Sequence, residues 1–164
     1  MYCNANGICN KVTELQVVAN LYCIDIICIT ESHLNGSFMD AEVAIKGFQA
    51  HFRCDRNFNV VDPDNQPSSG GGGSVIFDRD HLICSKVDWF AVPDSVAVEV
   101  TTNVGLINIA CVYRSSSLKL KQNKQIMKSL SKLAETNEET LVFEDFSLPD
   151  IDCFLQLLSA NMLY

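Results

Sequence analysis

The chain has 164 residues, 48% of them hydrophobic and 20% charged, a balance that suits one globular domain and excludes a disordered segment. No apolar run reaches the about 18 residues of a membrane span. The N-terminal MYCNANGICNK lacks the basic-then-apolar layout of a signal peptide, so an intracellular protein with no membrane partner is expected. The formal net charge of −8 excludes a chain that binds nucleic acid through overall positive charge, and it suits a divalent cation better.

Taken in order, Met1 to Cys3 reads as a first strand whose tail is Asn4-Ala5-Asn6-Gly7. Asn10 is the expected N-cap of a helix in which Val12, Leu15, Ala19 and Tyr22 share a face. Cys23 to Thr30 is a near-continuous β-branched run, the pattern of a strand buried on both faces. It ends in Thr30-Glu31-Ser32-His33 and so delivers a carboxylate to a strand's C-terminal end, where ligands and metal ions collect in open α/β folds. A β-α-β start favours parallel pairing, which makes Asn4 and Glu31 neighbours.

Leu34 to Gly47 reads as loop with at most one helical turn, and Phe48 to Arg53 alternates as a strand does. Asp55 to Gly73 is polar, with Pro63, Pro67 and the glycines Gly70 to Gly73, and is expected to form a long flexible loop. It lacks the Lys-Ser/Thr ending of a phosphate-binding loop and continues into a strand at Val75-Ile76-Phe77, so flexible entry to that strand is preferred to a nucleotide cradle. Val96, Val98 and Val100 alternate with Ala97, Glu99 and Thr101 as in a half-buried strand. A turn at Asn103-Val104-Gly105 joins it to Gly105 to Tyr113, making the sheet mixed.

The helix expected from Lys121 to Glu135 sets Ile126, Met127, Leu130 and Leu133 against Lys121, Lys124, Lys128 and Lys132, and the lysines read as a solvated face. A short strand at Thr140 to Phe143 then runs into Glu144-Asp145-Phe146-Ser147-Leu148-Pro149-Asp150-Ile151-Asp152, a second carboxylate cluster at a strand end. Ile151, Phe154, Leu155 and Leu158 begin a last apolar helix. The eight cysteines are scattered without a CxxC pair, several inside apolar runs, and read as buried reduced thiols rather than as disulfides or a zinc site.

Five of these segments occur in a telling order: Asn4-Ala5-Asn6-Gly7, Ile29-Thr30-Glu31-Ser32-His33-Leu34, the glycine run before a strand, Val112-Tyr113-Arg114, and Phe143-Glu144-Asp145-Phe146-Ser147-Leu148-Pro149-Asp150. Together they resemble the endonuclease/exonuclease/phosphatase superfamily, with its deoxyribonuclease I-like fold. The closest resemblance is to the N-terminal endonuclease domain of non-LTR retrotransposon polyproteins, which also carry a reverse transcriptase. The resemblance implies an α/β fold: the N-terminal two-thirds of a four-layer α/β/β/α sandwich with a mixed sheet, residues 1–164 being a partial domain whose C-terminal part is missing.

By the same resemblance Glu31, with Asn6, matches the residues that hold a catalytic Mg²⁺, for which Mn²⁺ is the alternative. Asn4 matches a polar residue supporting the metal and phosphate, and Tyr113 the hydroxyl that contacts the scissile phosphate. Asp145 matches the aspartate that orients and activates water, and Ser147 occupies the position of an asparagine that stabilises the pentacovalent phosphate. The implied activity is metal-assisted phosphodiester hydrolysis that nicks target DNA for reverse transcription, in the nucleus if the chain acts as a retroelement endonuclease. The implied partners are the DNA phosphate backbone, the missing C-terminal half and a fused reverse transcriptase.

Two departures count against full activity. The family's Gly-Asp-Phe-Asn reads Glu144-Asp145-Phe146-Ser147, which sets a second carboxylate beside Asp145 and shortens the amide. The family's Ser-Asp-His segment has no match, because none of His33, His51 and His81 follows a Ser-Asp pair, and all three read as ordinary loop or strand residues. The alternative is therefore a catalytically inactive truncated remnant acting at most as a binding module. The missing part is also expected to leave one face of the sheet uncovered, with apolar surface that aggregates or needs a partner. A lipid-headgroup phosphatase on the same fold is disfavoured by Tyr113-Arg114-Ser115 and the retroelement-like Ile29 to Leu34. A doubly wound nucleotide-binding domain would need a helix after Ser74.

Overall fold

Period-two alternation along the chain resolves into two four-stranded mixed sheets, packed face to face. A computed structural model describes residues 1–49, 52–55, 71–115, 120–136 and 138–146. The first sheet has the order β1-β2-β4-β3, from β1 (Tyr2–Asn4), β2 (Ile26–Thr30), β3 (Phe52–Cys54) and β4 (Ser74–Asp78). The second has the order β5-β6-β7-β8, from β5 (Ile83–Lys86), β6 (Val96–Thr102), β7 (Gly105–Arg114) and β8 (Glu139–Phe146). β1 runs parallel to β2, and β7 parallel to β8; the other pairings are antiparallel.

Three apolar layers hold the sandwich together. Ile27, Ile29, Val75 and Phe77 point to the outer face of the first sheet and pack with Leu15 and Ala19 of helix α1 (Val12–Leu21). Their strand neighbours Cys28 and Ile76 point the other way, into a layer shared with Val96, Val98, Val100, Ile109 and Cys111 of the second sheet. Ala97, Ala110 and Val112 then face Ile126 and Leu133 of helix α2 (Leu120–Ala134). This is the expected four-layer α/β/β/α arrangement. Full burial of a side chain such as Ile27 or Ile29 contributes about 1.5–3 kcal/mol, so a strand buried on both faces draws on two layers at once.

The structure corrects several details. Helix α1 is capped by Lys11 rather than Asn10, without a side-chain cap bond, since an ammonium has no acceptor to offer; it donates instead to the carbonyls of Ala5 and Gly7. β2 begins at Ile26 rather than Cys23. Cys23 adopts a left-handed φ of 49° just past α1, and the Ile24 N–H closes on the Ala19 carbonyl, so these residues end the helix. β6 is not half-buried: Ala97 is covered by α2 while the valines are covered by the first sheet. Met127 is 62% exposed and does not share the α2 core face. β5 is a strand that the alternation did not announce, and β8 runs on through Phe146, so Glu144 and Asp145 lie within it.

The expectation of an uncovered sheet face is also overturned. Among the described residues β5 to β8 form a four-stranded second layer, and each sheet packs on the other on one side and on a helix on the other. What stays open is local, as at Leu141 and Val142 on β8. The described cysteines are free; Cys28 and Cys111 are buried between the sheets, whereas Cys9 and Cys23 are exposed, so burial accounts for only some of them. A hydrogen bond with Cys28, together with burial, holds the Cys111 thiol well above its ordinary pKa and keeps it protonated. Ser147, the last helix from Ile151 and most of the loop from Asp55 to Gly70 lie outside the described residues.

Candidate active site

The two parallel pairings decide where the site forms. β1 and β2 run side by side with Asn4 opposite Thr30, so Glu31 emerges one residue past that register point. β7 and β8 do the same in the other sheet, with Tyr113 opposite Asp145. The C-terminal ends of all four strands meet at one end of the sandwich, where the Asn4 Nδ2 donates to the Asp145 Oδ2 at 2.6 Å across the gap between the sheets.

One rung deeper, two residues back on each strand, the Tyr2 and Phe143 rings stack with centroids 6.0 Å apart and planes 16° apart. Strand side chains alternate, so Tyr2 and Asn4 share a face, as do Phe143 and Asp145; the two contacts form successive rungs of one ladder. The Tyr2 hydroxyl lies 3.2 Å from the Thr30 hydroxyl, and burial raises its pKa, so it stays neutral. Glu144 lies on the opposite face of β8 from Asp145. The like charge expected beside Asp145 is therefore directed away from it, and desolvation raises the Glu144 pKa.

Glu31 stands on a strained turn that its neighbours hold in place. Glu31 and His33 adopt φ values of 51° and 56°, and Asn6 one of 44°, in the left-handed region that non-glycine residues occupy at a cost. The Gly7 and Ile8 N–H groups donate to the Glu31 and Ser32 carbonyls at 2.8 and 3.1 Å on one side. On the other, the Ser32 and His33 N–H groups donate to the Gly73 and Gly72 carbonyls at 3.1 and 3.0 Å. The end of the glycine run thus clamps the turn, a role that reading it as flexible entry did not include.

Between these clamps lies His33, which sequence reasoning set aside. Its Nε2 is 3.9 Å from the Glu31 Oε2, too far for a hydrogen bond, and is buried without a hydrogen-bond partner among the described residues. A Cβ on Gly7 or Gly71 would stand 3.4 or 3.3 Å from the ring, so both glycines leave room for it. The signal available in the sequence was position alone, two residues after Glu31. His81 sits instead 3.7 Å from Asp25, before the start of β2 and at its far end from Glu31. His51 and Ser147 lie outside the described residues.

Tyr113 is buried on the inter-sheet side of β7, its backbone held by Ser95: the Tyr113 N–H donates to the Ser95 hydroxyl at 3.1 Å, and that hydroxyl lies 3.4 Å from the Tyr113 carbonyl. Asn6 is exposed, and its N–H donates to the Asn4 Oδ1 at 3.0 Å. The structure therefore brings Asn4, Asn6, Glu31, Tyr113 and Asp145 to one end of the sheets, with His33 added.

No protein-family profile matches the chain, and no curated protein matches it by sequence. Solved structures do match. The endonuclease domain of TRAS1, a telomere-specific non-LTR retrotransposon, aligns with a TM-score of 0.59 at 14% identity over 88% of this chain. The AP endonuclease LMAP from Leishmania major aligns with a TM-score of 0.61 at 14% identity over 88%, and the catalytic domain of Xenopus laevis APE2 with 0.58 at 14% over 90%. The chain has the deoxyribonuclease I-like fold. It spans 56%, 53% and 57% of those three chains respectively.

On this deoxyribonuclease I-like frame the donor set can be tested against a hard cation. Among the described residues no three His, Cys, Asp or Glu side chains gather as a metal cage. The same end of the sheets carries the Glu31 carboxylate, 25% exposed, the Asn4 amide and the Asp145 carboxylate it bonds, and Asn6, whose backbone N–H is held by the Asn4 Oδ1. Few protein oxygens around one partly exposed carboxylate suit Mg²⁺, which keeps several waters and takes phosphate oxygens as ligands. Oxygen donors of this kind suit a hard divalent cation. No helix among the described residues is long and apolar enough to cross a membrane.

Proposed function

We propose that the chain carries the catalytic end of a Mg²⁺-dependent DNA phosphodiester hydrolase, an endonuclease domain of the non-LTR retrotransposon kind that nicks target DNA for reverse transcription, weakened in this copy. The observation that carries the reading is the meeting of Asn4, Glu31, Tyr113 and Asp145 at one end of the two sheets, joined by the Asn4–Asp145 bond of 2.6 Å. Glu31, with Asn6, would hold the ion, and Mn²⁺ would suit the same oxygens. A bound Mg²⁺ neutralises charge developing on the phosphate.

The chain's own groups do the rest. Asp145 orients the attacking water and accepts its proton, and the Asn4 amide fixes the carboxylate that does so. Tyr113 directs its hydroxyl to a phosphate oxygen. Ser147 is shorter than an asparagine and supplies less stabilisation to the pentacovalent phosphate. Losing one such donor costs on the order of 100-fold or more, so nicking is slow. The serine at Ser147 where the family has asparagine favours a second reading, a DNA-binding module without catalysis.

Supercoiled-plasmid nicking by the purified chain, with and without Mg²⁺, separates these readings. Slow Mg²⁺-dependent nicking that Glu31→Ala and Asp145→Ala each reduce by about 100-fold or more is expected. Nicking indifferent to both substitutions overturns the site, and a folded chain that binds DNA without nicking it supports the second reading.

A further inference from the structure

The net charge of −8 hides a strong asymmetry. Between Thr101 and Ala134 the chain has no Asp or Glu, yet it holds Arg114, Lys119, Lys121, Lys124, Lys128 and Lys132, half of its twelve basic residues. α2 itself carries four lysines and no acid. At 100° per residue, Lys121, Lys124, Lys128 and Lys132 fall within one narrow stripe opposite Ile126 and Leu133, and all four are exposed. Among the described residues none of them forms an ion pair. Lys132 lies over the Trp89 ring at 4.0 Å, which leaves Lys121, Lys124 and Lys128 as the ammonium groups without an ion-pair or ring partner among the described residues.

Two bonds fix the direction of this stripe. The Arg114 Nε, one residue past Tyr113, donates to the Asn123 Oδ1 at 2.9 Å, so the first turn of α2 stands at the catalytic end of the sheets. Asn108, six residues earlier on β7, donates to the Thr136 hydroxyl at 3.1 Å just past the other end of the helix. The lysines therefore start beside the candidate site and run about 16 Å down the outside of the second sheet at 1.5 Å per residue.

We propose that this stripe is a phosphate track that holds the nucleic-acid backbone flanking the bond presented to Glu31 and Asp145. The inference rests on the nuclease reading of that site. A field of one sign in an otherwise acidic molecule concentrates polyanion where it is displayed, and a stripe beginning at the site directs the strand toward it. Its contribution is independent of base sequence and falls with salt, because each phosphate neutralised releases a counterion.

The test is the salt dependence of binding to a fluorescein-labelled 20-base-pair duplex by the full chain between about 50 and 200 mM salt. The compared variants are Lys121→Gln/Lys124→Gln/Lys128→Gln, the same three positions changed to Arg, and Glu31→Ala. Gln and Arg keep helix propensity, so α2 stays folded, as circular dichroism will register. The glutamine variant is expected to lower the slope of log K against log salt by about 0.9 per lysine that contacts phosphate, while the arginine variant retains it. An unchanged slope in the glutamine variant overturns the track even where Glu31→Ala abolishes nicking. A lowered slope with no Mg²⁺-dependent nicking upholds the track and removes the catalytic reading. A chain that binds no duplex at 50 mM salt, or that binds phosphatidylserine vesicles in place of duplex, also overturns it.

Discussion

Asp78 shows what a single buried charge does in this fold. It ends β4 at 2% exposure, its Oδ1 has no hydrogen-bond partner among the described residues, and desolvation raises its pKa above the usual 3.8. The Cys84 thiol bonded to it is pushed up to about 12, first by burial and then by the carboxylate's charge. A carboxyl that holds its proton more firmly folded than unfolded gives stability that is fully present below 3.8 and is lost as pH rises through the raised value. Asp78→Asn removes that titration. Urea denaturation as a function of pH should therefore find the variant stabilised relative to the parent at pH 7, with the difference shrinking toward pH 3. At the same scale, Glu31 was legible as the acid ending a buried strand, whereas His33 was not, because the neighbours that give it a setting, Gly7 and Gly71, are distant in sequence.

At the scale of elements, amphipathic pattern decided most of what was readable. α2 lies within one residue of its expected bounds because apolar residues repeat on one face and lysines on the other. Its hold on the second sheet rests on Ile126 and Leu133, 2% and 1% exposed. Leu133→Ala leaves a cavity over Ala110 and Val112 and should cost about 2–5 kcal/mol in urea unfolding. The helix itself should persist, since Ala favours helix more than Leu does. β5 escaped notice for the opposite reason: Ile83 to Lys86 is a four-residue edge strand in which only Cys84 is turned inward. A strand with one covered residue has no alternation to read.

At the scale of the whole molecule, the two sheets are joined by the inter-sheet layer and, at the end that carries the candidate site, by the Asn4–Asp145 bond. Removing either partner leaves the other reaching toward an empty position. Asn4→Ala and Asp145→Ala should each destabilise the chain, and the double variant should cost less than the sum of the two. A double-mutant cycle in urea should return a coupling of about 1 kcal/mol. Additive losses would show that the bond contributes nothing to holding the sheets together.

The sequence by itself determined local periods, and with them β2, β6, β7, α2 and the carboxylates near the C-terminal ends of β2 and β8. An alternating or helical pattern specifies which side chains share a face, but it does not name the surface that face meets. Tertiary structure decided that β6 is covered on both sides, that Tyr2 stacks on Phe143, that Asn4 reaches Asp145, and that the lysines of α2 begin beside the site. Each of these joins segments far apart along the chain, and their meeting depends on parallel registers and on sheet-to-sheet packing rather than on any local run of residues.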